Sequence, residues 1–356
     1  MIRKLKICWL LIPIILSSLA LPSPALAQQA SSLSIEISPL PIELTTKPGT
    51  STSATLRVRN SGTLPEVLKA SLKIFSQDGP NGTVNLRNPG PGDEVVKWVS
   101  FDRPVFLAPP GEWQSIKMTV NVPASAAFGY YYAVQFALAN PPKTQPGQAG
   151  LQGAVAIFVL LNADAPGASR KIDVTTFSSD HTSYEFLPVN FTVRVHNSGN
   201  VHAAPHGNIF IKRGSKQVAA LDVNSTEGQV LPGSNRVFKV SWNDGFPVYV
   251  PILDASGQPV LDKNGQPKMS LKWDFSKVSH LRFGHYTADL LLVYNDGQRD
   301  IPITGTLSFW VVPWRIVAAV LIIGVFMAIG IWATLRRGGR LIKRHTSRGP
   351  GNAAPR

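Results

Sequence analysis

One heptapeptide pattern occurs twice in this chain: Leu56-Arg57-Val58-Arg59-Asn60-Ser61-Gly62 returns as Val193-Arg194-Val195-His196-Asn197-Ser198-Gly199. Two further phrases follow each copy in the same order. Pro110-Gly111 ahead of Ile116 to Val120 returns as Pro232-Gly233 ahead of Val237 to Val240, and Phe128-Gly129-Tyr130-Tyr131-Tyr132-Ala133 returns as Phe283-Gly284-His285-Tyr286-Thr287-Ala288. An ordered set of repeats separated by unequal gaps is the mark of a duplicated unit with variable loops. The alternation of Leu56 and Val58 with Thr55, Arg57 and Arg59 has a period of two, and Asn-Ser-Gly supplies a turn, so each copy is a half-buried strand ending in a corner.

No helical periodicity precedes residue 316, and 29 Gly and 29 Pro punctuate short apolar runs. That pattern predicts an all-β region of two immunoglobulin-like antiparallel β-sandwiches followed by a single transmembrane helix. The expected units are a sandwich over 33–164, closed by the strand Ala154 to Leu161 after a loop at 141–153, and a second over 170–312. The second carries a hairpin insertion over 246–280 with turns at Asp254-Ala-Ser-Gly257 and Asp262-Lys-Asn-Gly265. A linker at Ala165-Pro166-Gly167-Ala168 leaves room for motion between the two units. In each Gly-x-Tyr-x-Ala phrase the Tyr resembles the tyrosine corner of immunoglobulin-like folds, with Ala133 and Ala288 standing where antibodies have Cys.

The two ends of the chain give it an address. Residues 1–27 combine a basic head, an apolar run from Ile7 to Leu16 and the small residues Ala25 and Ala27, which predicts a secretory signal peptide cleaved after Ala27. The only cysteine, Cys8, lies inside it, so the mature chain has no thiol nucleophile and no disulfide. Ile316 to Leu335 is an uncharged apolar run long enough to span a bilayer, with Trp310, Trp314 and Trp332 around it. The tail 336–356 holds seven Lys and Arg and no acid, which places it in the cytoplasm and the sandwiches outside the plasma membrane. Ten of the 35 basic residues sit in this head and tail, and the remainder is close to balance with the 21 acidic residues. The formal charge of +14 is therefore topogenic, and no nucleic-acid partner is expected.

Chemistry is hard to find between those ends. The sequence has no Gly-x-Ser-x-Gly, His-Glu-x-x-His or phosphate-cradling glycine motif, and Asp93 and Glu94 are adjacent in a loop, so no enzyme, catalytic residue or cofactor is expected. His202 and His206 have a spacing that metals use, but they lie in a turn without a nearby acid and read as solvated, with no metal site. Asp262 similarly reads as a plain hairpin turn. Aromatic residues are the better lead. If Tyr131 is the corner residue, Tyr130 and Tyr132 share the opposite face, where they either stack on a ligand or pack beneath the loop at 141–153. Trp98 and Trp113 leave the same two readings open.

The phrases Ile35-Glu-Ile-Ser-Pro39, Ile42-Glu-Leu44, Lys47-Pro48-Gly49, Val58-Arg-Asn-Ser-Gly62 and Gly129-Tyr130-Tyr131 resemble the N-terminal sandwich of the bacterial WxL-interacting cell-surface proteins. The layout of signal peptide, two sandwiches, one span and a basic tail is similar too. The resemblance implies a first domain that binds peptidoglycan or a wall-bound partner and a second that faces another protein or a host surface. The expected function is a membrane-anchored surface protein that binds cell-wall polymer or an envelope protein. The alternative is an assembly or secretion factor that holds clients by strand addition, for which an open sheet edge is the distinguishing feature.

Overall fold

The computed structural model describes residues 33–77, 83–141 and 153–346, with the backbone alone for 337–346. The proposed cleavage residues Ala25 and Ala27, and most of the loop at 141–153, lie outside the described residues.

The first sandwich is made of β1 (Ile35–Ser38), β2 (Ile42–Thr46), β3 (Ser51–Asn60), β4 (Glu66–Ser76), β5 (Asn85–Arg87), β6 (Val99–Phe101), β7 (Val105–Ala108), β8 (Trp113–Asn121), β9 (Phe128–Leu138) and β10 (Ala154–Ala163). One sheet runs β1-β3-β8-β6, and the facing sheet runs β2-β10-β9-β4-β5 with β7 also on β4. The second sandwich uses β11 (Ile172–Ser179), β12 (Ser183–Tyr184), β13 (Val189–Asn197), β14 (His206–Arg213), β15 (Lys216–Val223), β16 (Asn235–Trp242), β19 (Gly284–Asn295) and β20 (Asp300–Val311). Its sheets run β11-β13-β16 and β12-β20-β19-β14-β15, the same order as in the first. A separate two-stranded ribbon, β17 (Val248–Pro251) with β18 (Met269–Lys272), forms the stem of the insertion. One pairing departs from the antiparallel expectation in each sandwich: β2 lies parallel to β10, and β12 parallel to β20.

The cores follow from alternation. On β3 the side chains of Leu56 and Val58 are fully buried and meet Ile116, Met118 and Val120 of β8 across from Tyr132, Val134, Ile157, Val159 and Leu161. The second core is aromatic at its centre, where Trp242 meets Tyr286 edge-on at 5.3 Å and Tyr286 stacks on Phe309 at 5.8 Å. The repeated asparagines explain why the corner phrase survives in both copies. Asn60 Nδ2 donates to the carbonyls of Leu64 and Ala108, its Oδ1 accepts from Gly62 N, and its own carbonyl accepts from Gly111 N. Asn197 does the same with Val201, Val230, Gly199 and Gly233. Both side chains are buried, and each stitches two loops to one strand end. Gly111 and Gly233 stand at φ +75° and +68°, which is why Pro-Gly recurs there.

From Trp314 the chain becomes a helix, α1 (Trp314–Thr346), whose segment Trp314–Arg336 has a mean hydropathy of 2.7 and buries none of its side chains among the described residues, its first turn being tied to the sandwich by the Arg315–Glu185 ion pair. At 23 residues it is long enough to cross a membrane, reaching about 35 Å at 1.5 Å per residue.

Candidate binding site at the junction of the two sandwiches

Successive side chains on a strand point to opposite faces, and on β9 this settles the three tyrosines. Tyr130 and Tyr132 do share a face, and it is the core face; Tyr132 has no exposed ring left to stack on a ligand, while Tyr130 and Trp98 line a cleft of about 680 Å³. Tyr132 is fully buried with Oη 3.9 Å from Met118 Sδ. Tyr130 is half-buried, its hydroxyl accepts Ala127 N–H at 3.1 Å, and its ring meets Trp98 edge-on at 4.6 Å. The upstream backbone bond of a tyrosine corner therefore belongs to Tyr130, not to Tyr131. Trp98 packs on the rim of the first core. Trp113 alone of the four is at the surface, on β8, beneath the Arg57 guanidinium at 4.8 Å. The four residues do not form one surface.

Tyr131 instead points outward from the sheet, toward the second sandwich. Its hydroxyl accepts the backbone N–H of His202 at 2.9 Å and lies 3.3 Å from His202 Nδ1. His202 is thus buried, a correction to its reading as a solvated turn residue, while His206 remains exposed. Burial, with the Arg170 charge adding to it, pulls the His202 imidazole down to about 4. Among the described residues no cluster of three His, Cys, Asp or Glu stands close enough to hold a metal.

The junction has an apolar centre and a polar border. Phe75, Ala133 and Leu160 on the outer face of the β2-β10-β9-β4 sheet close over Leu231 from the second sandwich. Gln77 Oε1 accepts from Leu231 N and from Ser234 Oγ, both at 3.2 Å, and Gln229 Nε2 donates to Glu43 Oε1 at 2.6 Å. The linker is tied down as well: Asn200 Oδ1 accepts Ser169 N–H at 2.7 Å, and its Nδ2 donates to Gly167 O at 2.9 Å. A side chain on Gly199 would collide with the Ser169 carbonyl at 2.3 Å, so the second Asn-Ser-Gly corner also receives the linker.

Two clefts flank this junction. One, of about 470 Å³, is an apolar trough between Leu40, Phe75, Ala156 and Phe158 of the first sandwich and Leu231 and Arg236 of the second. Arg236 donates through Nη1 to Gln229 O at 2.7 Å, and burial lowers its basicity. The trough reaches the edge of β10. That strand pairs with β9 along its whole length, but β2 covers only Val159 to Ala163. Ala154 to Phe158 therefore has no strand on its outer side among the described residues. The other cleft, of about 530 Å³, is polar, with Glu43, Asn162, Asp164, Arg170, Gln229 and Asp300 on its walls. Asn162 Oδ1 and Gln229 Oε1, on residues of its wall, are buried without a hydrogen-bond partner among the described residues.

Sequence reasoning missed Phe75, Phe158 and Leu231. The signal was present: Ala154 to Leu161 is apolar on both faces, as in a strand covered on both sides, and Phe75 interrupts the polar face that carries Lys69, Ser71 and Lys73. Asp93 and Glu94, the adjacent carboxylates, are drawn into ion pairs with Arg87 and Lys97, and the pairing with Arg87 holds the Asp93 carboxyl down to about 2.

No family model and no curated protein matches the sequence. Solved structures similar to it include the class 5 fimbriae chaperone CfaA, at 16% identity over 68% of this chain and 100% of that one, with a TM-score of 0.34. The Pseudomonas aeruginosa CupB2 chaperone aligns at 11% identity over 76% of this chain and 100% of its own, TM-score 0.34. The E. coli chaperone DraB aligns at 12% identity over 78% and 97%, TM-score 0.33. Identities and TM-scores this low transfer neither residue roles nor partners to this chain.

Proposed function

We propose that this protein is a membrane-anchored binding protein without catalytic activity, whose sandwiches face the outside of the cell and capture an extended segment of a protein partner by strand addition. The observation that carries the reading is the half-covered strand β10. Among the described residues no strand pairs with the outer edge of Ala154 to Phe158, directly beside the apolar trough, so an added strand finds hydrogen bonds along one edge and a pocket for alternate apolar side chains. Photocrosslinking from Val84, on the far wall of the trough, tests it in the full chain in its own envelope. The expected crosslink maps to an extended apolar segment of the partner, slows hydrogen exchange at Ala154 to Phe158, and disappears with Ala156→Arg. A crosslink that survives Ala156→Arg with unchanged exchange would refute strand addition.

A second reading is the one implied by the likeness to WxL-interacting proteins, a cell-wall polymer as ligand. It is favoured by the polar cleft, where the buried acceptors Asn162 Oδ1 and Gln229 Oε1 suit a ligand rich in hydroxyl, amide or amino donors. Co-sedimentation of the full chain in nanodiscs with purified cell walls separates the two: wall binding weakened by Asp164→Asn but not by Ala156→Arg supports the polymer.

A further inference from the structure

The insertion of the second sandwich touches the core at its base, through Val248, and its later part turns outward. From Trp273 to Phe283 it exposes a run of large apolar side chains, with Phe275 at 73% and Val278 at 58% of full exposure, and Trp273, Leu281 and Phe283 each at least 40%. The six-residue turn Phe275–His280 buries none of its side chains. Yet the segment is firmly held. Phe246, itself buried, meets Trp273 edge-on at 5.7 Å and Phe275 at 5.5 Å, while Asp244 accepts from Arg282 Nη2 at 2.8 Å and pairs with His280 Nδ1 at 2.5 Å. A patch that is fixed in place and still turned outward is the signature of a docking surface.

Its position tells what it docks on. The first residue of β19, Gly284, pairs with Val311, the last residue of β20, and α1 begins three positions later at Trp314. Arg315 in the first turn of α1 reaches Glu185 at 3.3 Å, and the neighbouring Phe186 packs edge-on against Trp273 at 6.4 Å. The apolar patch therefore stands beside the point where the helix leaves the sandwich, on the same end as the exposed rings of Trp310 and Trp314. Lys272 and Lys277 border it, and the one acid within it, Asp274, is turned into a bond with Ser276. Aromatic rings with a basic border suit the headgroup level of a bilayer, where rings lie at the boundary of polar and apolar layers and lysines meet anionic phosphates.

We infer that Trp273 to Phe283 is a second membrane contact, seated in the headgroup layer of the bilayer that α1 crosses, and that it holds the second sandwich against the membrane surface. The inference rests on α1 being a membrane span, and the test keeps the two apart. The full chain carrying Cys8→Ser takes a single nitroxide-labelled cysteine at Phe275, Val278, Val320 in α1 or Leu107 in the first sandwich, and is placed in nanodiscs of phosphatidylcholine and phosphatidylglycerol. Spin relaxation by oxygen and by a water-soluble nickel chelate reads depth. The expected result is several-fold less nickel access at positions 275 and 278 than at 107, with oxygen access rising toward the value at 320. Nickel access at 275 and 278 equal to that at 107, while 320 is in hydrocarbon, overturns the inference and leaves the span standing. Shielding of 275 and 278 from both relaxants also overturns it, because the patch is then covered by protein. An aqueous label at 320 removes the span and this contact together.

Discussion

The hydroxyl of Tyr131, in the first sandwich, accepts the backbone N–H of His202, in the second, at 2.9 Å. Removing that acceptor leaves a buried amide unpaired, a loss of about 1–3 kcal/mol. Tyr131→Phe keeps the ring against His202 and deletes only the oxygen. Amide exchange at Val201 to Ala203 is expected to accelerate while exchange in the core strand at Val193 and Val195 stays as it was. Unchanged protection at His202 would mean that the amide does not depend on this bond.

His202 also makes the junction pH-sensitive. Its imidazole titrates at about 4 in the folded protein against an ordinary 6.5, so the unfolded chain takes up the proton first. Stability is then at its full value above pH 6.5, falls as pH drops, and has lost at most about 3 kcal/mol from this group once pH passes the folded value near 4. The thermal midpoint measured between pH 7.5 and 4.5 should decline for the native chain and decline less for His202→Gln. Equal slopes would assign the loss to other groups.

The corner built on Asn60 was legible in the sequence because everything it needs is local or repeated: Asn-Ser-Gly at the strand end, Pro-Gly at the partner loop, alternation between. Pairing Tyr131 with Tyr286 by the Phe-Gly phrase misled for a physical reason. The offset of 155 is odd, strands have period two, and an odd slip exchanges the core face for the outer one. Tyr286 is a core residue, so its counterparts on β9 are the even-numbered Tyr130 and Tyr132. The junction was out of reach because Gln77 meets Leu231 across more than 150 positions and neither residue carries a motif.

Asn60 and Asn197 offer a matched pair of tests. Each fills two carbonyls and one amide from loops far apart in sequence, and alanine at either site leaves those groups buried and unpaired, a cost of about 2–4 kcal/mol. Because the two lie in separate sandwiches, Asn60→Ala should accelerate exchange on β3 and β8 while sparing β13 and β16, and Asn197→Ala should do the reverse. Loss of protection in both sandwiches from either variant would show that the two unfold as one unit.

That cooperativity has its own handle in Leu231. Phe75, Ala133 and Leu160 belong to the first sandwich, and Leu231 is the buried apolar side chain that the second contributes to their cluster. Its backbone N–H is held by Gln77 at the same place, so apolar and polar terms of the junction meet at one residue. Leu231→Ala empties the centre of the cluster, with a loss on the scale of about 2–5 kcal/mol for a buried leucine. Neither main core includes Leu231, so the penalty falls on the coupling between the sandwiches. Calorimetry of the full chain is expected to show the transitions of the two sandwiches moving apart in the variant, with each sandwich keeping its own β-sheet circular dichroism up to its own midpoint. A single transition shifted as a whole would place Leu231 within the second sandwich's stability and not at the hinge between the two.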